Sequence, residues 1–157
     1  MTFQTEKTIV QRFFDDLEKA PAAKVARVLA DHCCADYQWQ GVYPFREQSG
    51  TGQVAATFWQ PLKNALPHMQ RRQDIFIAGD NEISAGRWVM SMGNFMGLFD
   101  HDWLGIPATG KLVTLRYAEF NCVQNGKISR TGLFIDIIGL MAQAGVYPTA
   151  AVNRRIL

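Results

Sequence analysis

The chain has 157 residues, of which 48% are hydrophobic and 19% are charged, and its formal net charge is +2. This mixture is typical of a globular protein, excludes a disordered chain, and is too weakly charged to indicate a nucleic-acid partner. The chain contains no stretch of the ~18 apolar residues that a membrane helix needs and no secretory signal pattern, so we expect one cytoplasmic domain over residues 1–157.

Three segments in the first half of the chain carry helical periodicity. Apolar residues recur at intervals of three and four, as at Val10, Phe13 and Leu17, which is the pattern of a helix with one buried face. Pro21 suits the first turn of a second helix, and Pro61 should break or kink the third. The predicted helices cover residues 3–19, 22–30 and 53–66, and a short strand is predicted at residues 36–41.

Three cysteines, two of them adjacent at Cys33 and Cys34, do not make a disulfide framework. The sequence His32-Cys33-Cys34 also lacks the separated ligand pairs of zinc sites. An odd number of cysteines fits a reducing compartment. We therefore expect unbridged thiols, with the adjacent pair buried at a helix end, and no bound metal.

The second half of the chain alternates apolar and polar residues, as strands with one buried face do. Gln124-Asn125-Gly126-Lys127 interrupts the last run, and Asn-Gly supplies the two positive-φ residues of a tight hairpin turn. The predicted strands cover residues 70–78, 83–95, 112–122 and 128–135. Helices followed by an antiparallel meander predict an α+β fold in which three N-terminal helices pack on one face of a curved sheet.

Asp136 lies in an apolar run, between Ile135 and Ile137, where the last strand passes into a short helix. Apolar surroundings raise the pKa of a carboxyl group towards the range useful for general acid–base catalysis. Aspartate is also a good N-cap for a helix. The residues leave both roles open for Asp136, and one role does not exclude the other.

A few other side chains are candidates for a binding pocket. If Arg116 points inwards, it holds a substrate carbonyl or carboxylate or pairs with Asp136; if it points outwards, it lies on a solvated or dimer-facing surface. The aromatic residues Trp39, Trp59 and Phe95 suit either the core or a pocket wall.

Three separated motifs follow one another in the second half of the chain. They are Trp103-Leu104-Gly105-Ile106-Pro107-Ala108-Thr109-Gly110-Lys111, then Asn125-Gly126-Lys127-Ile128, then DIIGLMAQAG from Asp136 to Gly145. In this order they resemble the SnoaL-like polyketide cyclase family, and the resemblance extends from the first helix to about Gly145. It implies the cone fold of the nuclear-transport-factor-2-like superfamily, in which a strongly bent mixed or antiparallel sheet wraps a central pocket that the helices close.

The resemblance also implies a role for Asp136. In cyclase members an aspartate at the end of the last strand acts as acid and base on a polyketide ester, and Asp136 is the matching residue here. That chemistry uses no metal and no organic cofactor. Relatives often carry a histidine where this chain has Gly93-Asn94-Phe95. We therefore assign Asn94, which cannot shuttle a proton, to substrate binding.

Together these features predict a cofactor-independent enzyme that uses Asp136 for aldol cyclisation or isomerisation of a small hydrophobic carbonyl compound. A non-catalytic small-ligand-binding or interaction module on the same cone stays open, as does an epoxide-hydrolase-like hydrolase. A cavity lined by Asp136, Asn94 and aromatic residues would favour the enzyme, and a filled interior would favour the non-catalytic module. The predicted substrate-binding residues are Asn94, Arg116, Trp39, Trp59 and Phe95.

An open curved sheet leaves an exposed face that needs cover, and relatives of this fold commonly pair through it. We therefore expect a homodimer with Arg116, or its neighbours Tyr117 and Glu119, near the interface. Glu119 stands an odd number of residues from Arg116, so a regular strand places these two side chains on opposite faces.

Overall fold

A computed structural model of the protein describes residues 2–146. Helices α1 (Gln4–Lys19) and α2 (Val25–His32) come first, separated by a 3-10 turn at Ala22–Lys24. They are followed by β1 (Cys33–Gly41), β2 (Glu47–Ser49) and a third helical segment made of α3 (Thr51–Val54), a π-helical stretch (Ala55–Trp59) and α4 (Gln60–Ala65). The remaining elements are β3 (Gln70–Asp80), β4 (Arg87–Leu98), β5 (Leu112–Gln124), β6 (Lys127–Ile135) and α5 (Ile137–Gln143).

The strands form one curved, unclosed six-stranded sheet in the order β2-β1-β6-β5-β4-β3. The pairing of β1 with β6 is parallel and the other pairings are antiparallel. The predicted α+β class with a curved mixed sheet is therefore confirmed.

Strand β5 shows why the sheet has one buried and one open face. Leu115, Tyr117 and Glu119 are buried, whereas Thr114 and Arg116, the two neighbours of Leu115, are exposed. Since direct cross-strand partners share a face, this alternation continues into the neighbouring strands. The buried face and the helices enclose a single hydrophobic core among residues 2–146.

The hairpin between β5 and β6 has the predicted turn. Asn125 has φ of 50° and Gly126 has φ of 75°, which are the left-handed conformations that an Asn-Gly pair adopts at low cost. The turn fixes the pairing register of β6 with β5. This register determines the position of Asp136, which directly follows the last residue of β6.

The third helical segment continues through Pro61 instead of breaking there. Pro61 lies in the first turn of α4, directly after the π-helical stretch. A proline removes one backbone donor and crowds the carbonyl four residues earlier, and a wider turn is a common way for a helix to accommodate both effects. The predicted irregularity occurs as a change of helix type.

The strand prediction was wrong at several places. The sequence predicted no helix or strand in residues 43–52, but the short edge strand β2 lies there. Strand β4 begins at Arg87 instead of residue 83, because the side chain of Asn81 binds the hydroxyl of Ser84 at 2.9 Å and the backbone N–H of Ile83 at 3.0 Å. Such side-chain contacts compete with a strand ladder.

The adjacent cysteines open a strand and do not end a helix, since α2 ends at His32 and β1 begins at Cys33. Cys33, Cys34 and Cys122 are free thiols, of which Cys33 and Cys122 are buried. Burial raises the pKa of Cys33 to about 12. No helix within residues 2–146 is long and apolar enough to cross a membrane.

We expect Cys34, the partly exposed thiol, to react first with an aromatic disulfide reagent at pH 8. The thiolate is the reacting species, and burial deprives Cys33 of both access and ionisation. Absorbance should show one slow phase in the native protein and reaction of all three thiols in guanidinium. Rapid labelling of three thiols in the native protein would contradict the burial of Cys33 and Cys122.

Candidate functional site

Asp136 joins β6 to α5. As the N-cap of α5, it accepts a hydrogen bond at Oδ1 from the backbone N–H of Gly139 at 2.8 Å. Its own backbone N–H donates to the carbonyl of Arg116 at 2.9 Å, which ties the junction to β5. The predicted capping role of Asp136 is confirmed.

The Asp136 side chain is exposed to solvent. The expected desolvation of this carboxyl is therefore wrong for the protein without a ligand. The strand alternation explains the difference, because Ile135 points into the core and is 9% exposed, so the next residue points out. Within residues 2–146, Oδ2 of Asp136 has no hydrogen-bond or ion-pair partner.

Gly139 allows the carboxylate to lie over the first turn of α5. A Cβ atom at this position would lie 2.3 Å from Oδ2 and 2.8 Å from Cγ of Asp136. Any side chain at Gly139 would push the carboxylate away or distort the turn. The glycine three residues after Asp136 is therefore part of what positions the carboxylate.

A groove of ≈ 720 Å³ opens beside Asp136. Its walls come from the loop after β1, the turn at residues 104–106 and the helix α5, and they include Val42, Ile106, Ile137 and Met141. The volume lies in the range of small-molecule pockets. The structure thus places the Asp136 carboxylate in the wall of a mostly apolar groove.

Large apolar side chains stand exposed on the rim of this groove. Their exposed fractions are 76% for Tyr43, 56% for Ile138, 40% for Leu104 and 38% for Val146. Single exposed apolar residues are normal on protein surfaces, but a contiguous group marks a binding site. The rim therefore makes the groove a candidate site for an apolar ligand.

Asn94 and Arg116 lie away from the groove. They are direct cross-strand partners and point to the outer face, opposite to the buried side chains of Phe95 and Tyr117. Nη1 of Arg116 lies 3.3 Å from Oδ2 of Asp74, and both side chains are half exposed. The outward alternative for Arg116 is the one found, and the side chains of Asn94 and Arg116 make no hydrogen bond or ion pair with the Asp136 carboxylate.

The three predicted aromatic residues are core residues. Trp39, Trp59 and Phe95 are 2%, 1% and 0% exposed. Trp59 packs edge-on against Phe95 with ring centroids 5.9 Å apart, and Trp39 contacts Phe58 at 5.1 Å. None of the three lines the groove, so the structure brings no predicted substrate-binding residue to Asp136.

The interior of the cone holds an ion pair that the sequence analysis missed. Nη1 of Arg71 lies 2.7 Å from Oε2 of Glu119, and the two side chains are 6% and 0% exposed. The guanidinium carbon of Arg71 also lies 3.6 Å from the ring centroid of Phe14, 4.8 Å from that of Phe95 and 4.7 Å from that of Tyr117. Aromatic faces attract a cation, so this arrangement satisfies the buried charge of Arg71 on several sides.

A chain of hydrogen bonds continues from Glu119 across the interior. Asn121 donates to Oε1 of Glu119 at 3.3 Å, Thr131 donates to Asn121 at 2.7 Å, and Tyr37 donates to Thr131 at 2.7 Å. Burial raises the pKa of Tyr37 well above its usual value, so this phenol keeps its proton and donates. The space beside Arg71 is ≈ 10 Å³, which leaves no room for a ligand.

The cavities of the protein do not decide between the enzyme and the non-catalytic module. The space beside Arg71 is too small for a ligand, which favours the non-catalytic module, whereas an open groove is lined by Asp136, which favours the enzyme. Within residues 2–146, no group of three or more His, Cys, Asp or Glu side chains is placed to hold a metal ion.

Of the residues expected near a dimer interface, Tyr117 and Glu119 have side chains that do not reach the surface of the chain. They are 1% and 0% exposed inside one chain, so neither can meet a second copy. Arg116, on the opposite face of the same strand, stays accessible.

Comparisons with known proteins agree on the fold. The sequence profile of the SnoaL-like polyketide cyclase family matches residues 8–144, while no curated protein sequence matches the chain. AclR of Streptomyces galilaeus, described as a hydroxylase, is 15% identical with a TM-score of 0.75, over 99% of this chain and 90% of its own. A protein of Jannaschia sp. CCS1, described as a SnoaL-like polyketide cyclase, is 18% identical with a TM-score of 0.69, over 92% of this chain and 94% of its own. IdmH of Streptomyces antibioticus, described as a polyketide cyclase, is 15% identical with a TM-score of 0.66, over 88% of this chain and 97% of its own.

We expect Glu119→Gln to lower the free energy of unfolding by about 3–5 kcal/mol, because Arg71 would keep a buried charge without its counter-charge. Urea unfolding measures the change. Asp74→Asn is the matched control, since it removes a carboxylate from the exposed pair with Arg116 and should cost less than about 1 kcal/mol.

The double variant Arg71→Met/Glu119→Leu should recover part of the loss, because it leaves no unpaired charge in the core. Equal effects of Glu119→Gln and Asp74→Asn would show that the interior pair does not support the fold.

Proposed function

Because the chain belongs to the SnoaL-like polyketide cyclase family, we propose that it is a cofactor-independent enzyme in which Asp136 performs acid–base catalysis. Its substrate is a small hydrophobic carbonyl compound, and the reaction is an aldol cyclisation or an isomerisation. The observation that carries the proposal is the apolar groove of ≈ 720 Å³ with the Asp136 carboxylate in its wall. Fold likeness alone would not assign a reaction.

The two oxygens of Asp136 can divide two tasks. Oδ1 accepts the cap hydrogen bond from Gly139, which fixes the carboxylate against α5. Oδ2, without a partner in residues 2–146, is available as a base. A capped carboxylate of this kind meets the geometric requirement for a positioned proton acceptor.

The proposed aldol step conserves its proton. Asp136 takes a proton from the carbon next to the substrate carbonyl, and the C–H electron pair forms an enolate. The enolate carbon attacks a second carbonyl carbon, which forms the new C–C bond and leaves an alkoxide. Protonated Asp136 then returns its proton to the alkoxide oxygen. In an isomerisation the same proton returns to a different carbon.

The substrate itself would supply the dry surroundings that the free groove lacks. An apolar ligand that fills the groove displaces water from around the carboxylate, and desolvation makes a carboxylate a stronger base. Burial of the apolar rim residues Tyr43, Leu104 and Ile138 against such a ligand would favour binding through the hydrophobic effect.

A non-catalytic ligand-binding module is the second candidate, and one observation favours it. Asp136 is exposed and already has a structural role as the cap of α5. The substitution below separates the two candidates.

We expect Asp136→Asn to slow proton exchange by about 100-fold or more, since general acid–base catalysis contributes about 10²–10⁴ in rate. The measurement is NMR in D₂O of hydrogen–deuterium exchange at the activated carbon of an aromatic β-keto methyl ester. Asparagine is also a good N-cap, so the free energy of unfolding should change by less than about 0.5 kcal/mol. If the variant matches the wild type, or if the wild type does not exceed buffer, the catalytic role of Asp136 is refuted.

We also propose that the protein is a homodimer that pairs through the outer face of the sheet. Cross-strand pairing aligns apolar side chains there in two rows, Ile75-Met92-Ala118-Phe134 and Ile77-Met90-Phe120-Gly132. The exposed fractions of Ile75, Ile77 and Phe134 are 42%, 50% and 57%. A continuous apolar face of this kind supports association with another protein surface.

Light scattering at micromolar concentration should give about twice the 17.7 kDa chain mass for the wild type. Ile77→Lys should shift the mass towards the monomer, because it places a charge in the apolar rows. Ile83→Lys is the matched control, since Ile83 is 97% exposed in the turn after β3 and lies outside the rows. A wild-type mass of one chain would refute the homodimer.

A further inference from the structure

The groove contains few groups that can bind a polar atom. Of the described residues that line it, Asp136 and Tyr43 are the two with polar side chains, and the others are apolar residues or glycine. A carbonyl oxygen that enters such a groove loses hydrogen bonds to water and needs a new donor. An ionised carboxylate only accepts hydrogen bonds, so Asp136 in its basic form cannot be that donor. The phenol of Tyr43 can.

Sheet topology places Tyr43 and Asp136 at the same edge. Strands β1 and β6 are adjacent and parallel, and Gly41 is paired with Leu133. Parallel strands end at the same side of a sheet, about 4.8 Å apart. Tyr43 follows two residues after Gly41, and Asp136 follows three residues after Leu133. The two side chains therefore reach the groove from neighbouring strand ends.

The loop that carries Tyr43 is held in place on both sides. Gly41 donates its backbone N–H to the carbonyl of Arg46 at 2.9 Å, and Phe45 donates to the carbonyl of Val42 at 2.8 Å. The ring of Phe45 stacks on Trp103 with centroids 5.9 Å apart, which anchors the loop to the core. In contrast, Tyr43 is 76% exposed, and its hydroxyl has no hydrogen-bond partner within residues 2–146.

We propose that Tyr43 is a substrate-binding residue whose hydroxyl donates a hydrogen bond to the carbonyl oxygen of the ligand in the groove. This inference rests on the proposed function and deepens it by separating two tasks. Asp136 takes the proton from carbon, while Tyr43 stabilises the negative charge that develops on the enolate oxygen. Tyr43 keeps its own proton throughout, so the proton balance of the aldol step is unchanged.

The charged and polar side chains of the groove favour some ligands over others. The described lining has one carboxylate and no Lys, Arg or His side chain. A neutral ketone or ester can accept from Tyr43 without a charge near Asp136. A carboxylate or phosphate ligand would lie close to the like charge of Asp136, which is unfavourable. The Arg46 guanidinium lies 5.7 Å from the ring centroid of Tyr43 but is not among the residues that line the groove. The groove should therefore select neutral carbonyl compounds.

The test compares two probes of the same shape, 2-acetylnaphthalene with a carbonyl group and 2-ethylnaphthalene without one. Dissociation constants are measured by ligand-observed NMR for the wild type and for Tyr43→Phe. The loss of one hydrogen bond should weaken binding of the ketone about fivefold to tenfold, and binding of the hydrocarbon should stay within about twofold. Tyr43 is exposed, so the variant should fold normally, and its unfolding curve checks this.

Ile138→Glu is the control for location, because Ile138 lines the groove and is 56% exposed. This variant should abolish binding of both probes. Binding that survives it would place the probes elsewhere and overturn the inference. Unchanged ketone affinity in Tyr43→Phe, or equal losses for both probes, would overturn the role of Tyr43. The catalytic role of Asp136 would then still be decided by the proton-exchange experiment. A wild-type protein that binds neither probe would count against both proposals.

Discussion

The buried ion pair between Arg71 and Glu119 constrains the rest of the molecule. It joins β3 to β5 at 2.7 Å, and the guanidinium packs on Phe14 of α1 and on Phe95 of β4. Charges taken out of water are costly unless they are paired and hydrogen-bonded, so the aromatic residues and Asn121 must stay in contact with the pair. Room for a ligand at the centre of the cone would leave these charges without part of their surroundings. The packed surroundings of this pair leave the groove at Asp136 as a candidate ligand site among the described residues.

At the mouth, the topology of the sheet determines which residues meet. Since β1 and β6 are parallel, the loop after β1 and the start of α5 leave the sheet side by side. Both continue from the strands into partly exposed segments, so large side chains such as Tyr43 and Ile138 remain uncovered there. Asp136 is exposed in the free protein, and under the proposed function its carboxylate would lose its water when a ligand binds. The chemistry of the groove then depends on its occupant, which differs from a central pocket that is dry before binding.

The sequence predicted those features whose cause is local. The Asn125-Gly126 turn and the Asp136 cap both follow from the conformational preferences of a few adjacent residues. It did not predict the pair of Arg71 with Glu119, because the two residues are 48 positions apart and Arg71 stands beside Arg72 like a surface residue. Aromatic residues such as Trp59 and Phe95 carry the same signal in a core as in a pocket wall, and only the packing distinguishes the two.

Strand register determines which side chains face the core and which face solvent, and Asp136 is an example. Arg116 and Glu119 lie on opposite faces because they are an odd number of residues apart, so one is exposed and the other is buried. By the same alternation Ile135 enters the core and Asp136 leaves it. A one-residue shift in the register of β6 would turn the carboxylate towards the buried face of the sheet. One of its oxygens holds the first turn of α5 through Gly139, and the other has no hydrogen-bond partner within residues 2–146. Structural and chemical roles can therefore coexist in this single carboxylate, because they use different atoms.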